Sequence, residues 1–155
     1  RAALTQADSA GKDYYSQRAS QYSQQLDALD ADARQRFAAI PASQRKVLTS
    51  HDAFGYLAQR YQIRFLSPQG VSTDAEASAK TVAKLVRQVK AEKIRAVFVE
   101  NMSDKRLLEQ LSREAGVQVG GKLYADALSP ANGPAPSYLK LFSHNVNSLS
   151  AAMKP

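Results

Sequence analysis

The sequence predicts an α/β fold: a mainly parallel four-stranded sheet flanked by helices and preceded by one long linking helix. Three observations carry that reading. From Gly11 to Ile40 apolar residues recur every three or four positions. After Pro41 the pattern changes to short apolar runs alternating with amphipathic helices. One of those runs, Ala96-Val97-Phe98-Val99, is unbroken, as a strand covered on both faces requires.

The long helix places Tyr15, Ala19, Tyr22, Leu26, Leu29, Ala33, Phe37 and Ile40 on one stripe, and Pro41 ends it. At 1.5 Å per residue it would reach roughly 45 Å, longer than a small lobe is wide. Val47-Leu48-Thr49 reads as a buried strand, Ala53–Tyr61 as a short helix, and Ile63–Leu66 as a second strand closed by Ser67-Pro68. Thr73 and Glu76 have capping-box spacing and open a helix from Asp74 to about Glu92, with Ala79, Val82, Ala83, Val86 and Val89 inward. Ser103 or Asp104 caps the next helix, which runs through Leu107, Leu108 and Leu111 to a C-cap at Gly116. Val117–Asp126 carries the last strand, with a bulge or turn at Gly120-Gly121. Pro130–Pro136 reads as a loop, and the closing helix, Ser137 to about Met153, buries Leu139, Phe142, Val146 and Leu149. The domain reading is therefore a helix over residues 1–42 followed by an α/β lobe over 43–155.

The chain has 155 residues, enough for a helix and one compact lobe. No apolar run reaches the length of a membrane span, and Arg1-Ala2-Ala3-Leu4 leads into a polar stretch without a signal-peptide pattern. Cysteine is absent, which leaves imidazole and carboxylate as metal ligands. A net charge of +7 raises the question of nucleic acid. Its cations are scattered over several elements without a basic stripe interleaved with aromatics, so a solvated basic face is the better reading and no nucleic-acid partner is expected.

Ligands of open parallel sheets bind beyond the carboxyl ends of the strands. His51, Glu100 and Asp126 stand there, and one imidazole with two carboxylates suits a borderline divalent metal. Each has a plainer reading as well. His51 could be a polar neighbour of a helix start, Glu100 could cap Ser103 or bond the loop around Asn101, and Asp126 could anchor residues 127–136. Asp52 reads as a helix N-terminal acid and His144 as a surface or packing residue. A hydrolytic triad of Ser50, His51 and Asp126 is disfavoured because adjacent Ser50 and His51 point apart, and no other nucleophile or phosphate-loop motif is present.

Five segments resemble the zinc and manganese substrate-binding proteins of ABC importers. They are Val47-Leu48-Thr49-Ser50-His51-Asp52-Ala53-Phe54-Gly55-Tyr56, residues 70–78, Val97-Phe98-Val99-Glu100-Asn101, residues 120–128 and residues 138–146, in the family's order. The resemblance implies a periplasmic or lipid-anchored protein of two α/β lobes, joined by one rigid helix, with metal held between them. It implies four protein ligands, two of them His from an N-terminal lobe that this chain lacks. His51 and Asp126 match the other two, and Glu100 matches a recurrent residue that orients a ligand. The metal site is thus incomplete here: zinc is favoured by the imidazole at position 51, where manganese-selective relatives often have Glu, and manganese is the alternative. The partners implied are the missing lobe and an ABC permease, and no catalytic turnover is expected. The competing reading is an adhesin-like interaction module that dimerises through the exposed long helix.

Overall fold

The computed structural model describes residues 1–68, 78–101 and 106–154. The long helix forms as expected. Designated α2, it spans Lys12–Ala38, with Asp13 in its first turn and Arg36 in its last, signs that complement the helix dipole. A six-residue helix, α1 (Ala2–Ala7), precedes it. The sequence pattern did not announce α1 because none of its residues is buried and no apolar stripe forms. Only the C-terminal end of the α2 stripe enters the core: Ala33, Phe37 and Ile40 are buried, whereas Tyr22 is exposed and Tyr15, Ala19, Leu26 and Leu29 are half-covered.

Five short strands follow among the described residues, all paired in parallel, three in one sheet and two in a second. β1 (Lys46–Leu48) pairs with β2 (Arg64–Leu66), Val47 opposite Phe65, and with β3 (Ala96–Val97), Val47 opposite Ala96. β4 (Val99–Glu100) pairs with β5 (Lys122–Leu123), Glu100 opposite Leu123. β3 and β4 are one apolar run whose pairing changes sides at Phe98. The Phe98 N–H still donates to Leu48 O, and the Val99 N–H donates to Gly121 O. The last strand is shorter than the expected Val117–Asp126. Gly121 takes φ 145°, and the Gly120 N–H donates to Val97 O at 2.7 Å, so this pair turns the chain into β5.

Helices cover both faces. Val47, Ala96, Phe98 and Leu123 pack under α2, α3 (Gly55–Tyr61) and α6 (Tyr138–Ala152). Leu48, Leu66 and Val97 pack under α4 (Ala79–Ala91) and α5 (Arg106–Ala115). The alternation of Ala96, Val97 and Phe98 between the two cores is the period of two that a pleated strand imposes.

Several details differ from the sequence reading. The described helix α4 has Ser78 as its N-cap, accepting from the Thr81 N–H; the Thr73–Glu76 box and the Ser103 or Asp104 cap lie outside the described residues. Its buried positions are Val82, Leu85 and Val89, and Ala79 and Ala83 face solvent: a branched Leu at one edge of the stripe covers more core than two small Ala at the other. In α6 the fully buried apolar residues are Leu141, Val146 and Leu149, with Leu139 and Phe142 half-covered.

Helices α3, α4 and α5 end alike. Gln62, Lys93 and Gly116 take positive φ, and the N–H of Ile63, Ile94 and Val117 reaches back to the carbonyl of Ala58, Val89 and Ser112. Gly116 was recognisable as a C-cap from its lack of Cβ. Gln62 and Lys93 carry no such signal and hold the left-handed conformation at a cost of about 1 kcal/mol each.

Helix α2 is joined to α3 by one carboxylate. Asp30 accepts from Arg60 through both oxygens at 2.6 Å, from the Tyr61 hydroxyl at 2.8 Å and from Arg34 at 2.9 Å. The Arg60 guanidinium, above all, holds Asp30 well below the usual carboxylate range, while burial, followed by the bond to Asp30, pushes Tyr61 up to about 12. On the far edge, Glu92 receives Lys46 at 2.8 Å and Arg64 at 2.8 Å, and Lys46, followed by Gln88, brings it down to about 2.

Urea denaturation of Asp30→Ala should show a loss of about 1–2 kcal/mol, small because the pair is partly exposed; an unchanged midpoint would mean that α2 is held by apolar contacts alone. Both carboxylates have folded-state values below their unfolded ones. Their contribution is therefore complete above about pH 5 and is lost as pH falls through about 4 toward 2, which a series of melting temperatures across that window would register. Lys93→Gly relieves the left-handed strain and should raise stability by about 0.5–1 kcal/mol in the same assay.

Candidate metal centre

Beyond β1 the chain turns inward, and Thr49, Ser50 and His51 are all buried. The turn is closed by the His51 carbonyl, which accepts from the Thr49 hydroxyl at 3.1 Å and from the Ala53 N–H at 3.2 Å. Glu100, at the end of β4, has its side chain wholly covered. Its Oε2 accepts from the Ser50 N–H at 2.9 Å and its Oε1 from the His51 N–H at 3.2 Å. These two main-chain donors satisfy a carboxylate that would otherwise be costly to bury.

The His51 ring lies between two carboxylates. Nδ1 stands 3.4 Å from Glu100 Oε1, and Nε2 stands 3.4 Å from Asp126 Oδ2. The two differ in exposure: the Glu100 side chain is covered and that of Asp126 is 64% exposed. The expectation that topology brings these three residues to one edge of the sheet is met. They do not converge on one point, however, since Glu100 addresses the nitrogen that faces away from Asp126. Among the described residues no group of three His, Asp or Glu side chains is placed to hold a metal. At this edge His51 Nε2 and Asp126 Oδ2 are the two atoms that face each other. Two donors on one tetrahedral ion stand roughly 3.4 Å apart when the bonds are about 2.1 Å, which is the separation found between Nε2 and Oδ2.

The segment carrying Asp126 is held by two asparagines. Asn145 of α6, itself buried, accepts from the Tyr124 N–H at 3.0 Å and donates to the Tyr124 carbonyl at 2.7 Å. Asn101, which follows β4, accepts from the Ala125 N–H at 3.2 Å and donates to the Ala127 carbonyl at 3.0 Å. The 127–136 loop is closed by Ser129, whose N–H donates to the Ala135 carbonyl and whose Oγ accepts from the Ala135 N–H; that closure does not use Asp126. His144 touches the same strand. Its Nε2 donates to the Lys122 carbonyl at 2.9 Å, and its ring meets Tyr124 edge-on at 5.4 Å.

Of the two readings of His144, surface or packing residue, the contacts favour packing, on the strand that leads to Asp126. Asn101 and Asn145 were missed as contributors; the only signal was their position, one just past a strand end and one on the core-facing side of α6. Asp52 is exposed and precedes the Phe54 N-cap, so α3 has no acid in its first turn and the helix-terminal reading of Asp52 is corrected. Ser50 Oγ is buried without a hydrogen-bond partner among the described residues, which leaves the Ser50-His51-Asp126 triad without its nucleophile–base bond. Next to the site, Phe54, Leu57, Tyr61, Tyr124, Tyr138 and Phe142 line an open apolar groove of about 300 Å³.

Residues 1–152 match the family described as ZnuA, zinc-uptake complex component A, periplasmic. Over 144 residues the chain is 36% identical to the zinc-binding protein TroA of Treponema pallidum, covering 90% of this chain and 47% of that protein. It is 34% identical over 150 residues to the iron-binding protein YfeA of Yersinia pestis, covering 97% and 48%. With the manganese-binding lipoprotein MntA of Bacillus subtilis the identity is 33% over 147 residues, covering 92% and 48%. The solved structure of the periplasmic zinc-binding TroA superposes with a TM-score of 0.93 at 33% identity, over 99% of this chain and 57% of that one. The chain spans about half the length of the curated relatives it matches. With a strand edge that gathers His51, Glu100 and Asp126 and a match running from the first residue to the closing helix, the chain belongs to the ZnuA family.

Proposed function

We propose that this chain is the C-terminal lobe of a periplasmic or lipid-anchored solute-binding protein that captures a divalent transition metal for an ABC importer. His51 and Asp126 supply half of the coordination, and the opposite lobe supplies the rest. The observation that carries the reading is the His51 ring held between a buried and an exposed carboxylate, with Nε2 and Asp126 Oδ2 at 3.4 Å. The buried Glu100 fixes the turn and faces Nδ1, so the other ring nitrogen is left toward Asp126, where an ion would bind.

An imidazole and a carboxylate accept zinc, manganese or iron(II), and the relatives' names cover all three metals. Zinc is favoured here by the imidazole. Residues 1–42 act as the strut between lobes and 43–155 as the metal-binding lobe; the half-covered stripe on α2 and the groove beside the site are the surfaces that the other lobe would cover. The function is binding and delivery to a permease, without turnover. Among the described residues no helix is long and apolar enough to cross a membrane.

Calorimetry with zinc tests the site. This chain should bind weakly, because two protein ligands leave the ion open to water, and His51→Ala should remove even that binding. In the full-length protein Glu100→Gln is expected to weaken zinc binding about 10–100-fold and to lower stability by about 1–3 kcal/mol, since an amide NH2 would face a main-chain N–H. Undiminished zinc binding by His51→Ala would take His51 out of the site.

A further inference from the structure

We propose that Asn101 is the positioning residue for Asp126, so that the adjacent pair Glu100-Asn101 sets the separation of the two ligands; this rests on the reading of His51 and Asp126 as a half-site. The run that holds β3 and β4 lies between β1 and β5. At its end the two side chains serve opposite neighbours. Glu100 grips the main chain of Ser50 and His51 beyond β1. Asn101 grips the main chain on either side of Asp126, accepting from the Ala125 N–H and donating to the Ala127 carbonyl.

The Asp126 side chain is 64% exposed, so it gains little from packing and its direction follows from the backbone beneath it. The Asn101 N–H also donates to the Leu123 carbonyl at 3.0 Å, which ties the clamp into the β4–β5 ladder. Asn145 fixes Tyr124 through both of its main-chain groups, and the clamp by Asn101 begins at the next residue. The segment 124–127 is thus bonded from the strand side and the helix side in succession. A primary amide suits the task because it offers one acceptor and one donor in a single plane.

A double-mutant cycle in the full-length protein tests this, with zinc affinity read by competition against a chromophoric chelator and folding checked by circular dichroism. Asn101→Ala should weaken zinc binding about 10–100-fold in the otherwise native protein and less than about twofold when Asp126→Ala is already present. Equal losses in the two backgrounds, or no loss in the native one, would overturn the inference while leaving Asp126 as a ligand. If Asp126→Ala alone binds zinc like the parent protein, the ligand reading itself fails, and the inference with it. Should Asn101→Ala not fold, the cycle is run with Asn101→Asp, which keeps the acceptor for the Ala125 N–H and loses the donor to the Ala127 carbonyl; the same non-additivity is expected.

Discussion

A carboxylate removed from water must find donors, and Glu100 finds them in the peptide N–H groups of Ser50 and His51. That requirement shapes the turn after β1 and places the imidazole at the sheet edge. It holds only while β4 keeps its register with β5 and the joined β3 keeps its own with β1. The register is in turn held by burial on both sides: a shift of one residue would send Val97 into the core built around Phe37 and Phe98, and Phe98 into the one built around Leu108 and Leu111. The site is therefore the local end of a constraint that runs through the whole sheet.

Much of this architecture was legible in the sequence because it is written in periodicity. The α2 stripe, the 96–99 run and the glycine at 116 each announce an element through one physical property. What stayed hidden depends on geometry between distant residues. Gln62 and Lys93 end helices in a conformation that their own chemistry disfavours, so only the path into the following strand explains them. The edge position of His51, Glu100 and Asp126 follows from topology, but which ring nitrogen each carboxylate faces does not. Glu100 addresses one ring nitrogen and Asp126 the other, a distinction that sequence spacing cannot encode. Asn101 and Asn145 act on main-chain groups, which carry no residue-specific signal at all.

The family comparison and the geometry meet on a common point. The relatives include proteins named for zinc, for iron and for manganese, at nearly equal identity to this chain. One imidazole and one exposed carboxylate are compatible with all three metals. That pair of side chains does not distinguish among them. Asp30 matters in that context: its bidentate bond to Arg60 couples the long helix to α3, the element that directly follows the His51 turn. The long helix and the element that follows the imidazole-bearing turn share that connection.

Glu100 has a consequence for evolvability. At the turn it accepts from two peptide N–H groups, and it also faces the imidazole at 3.4 Å. A turn templated in this way rests on the peptide N–H groups of Ser50 and His51 more than on the imidazole itself. A substitution at position 51 that keeps the peptide N–H therefore leaves both main-chain bonds of Glu100 in place, so the loop and the side chain it presents can vary independently.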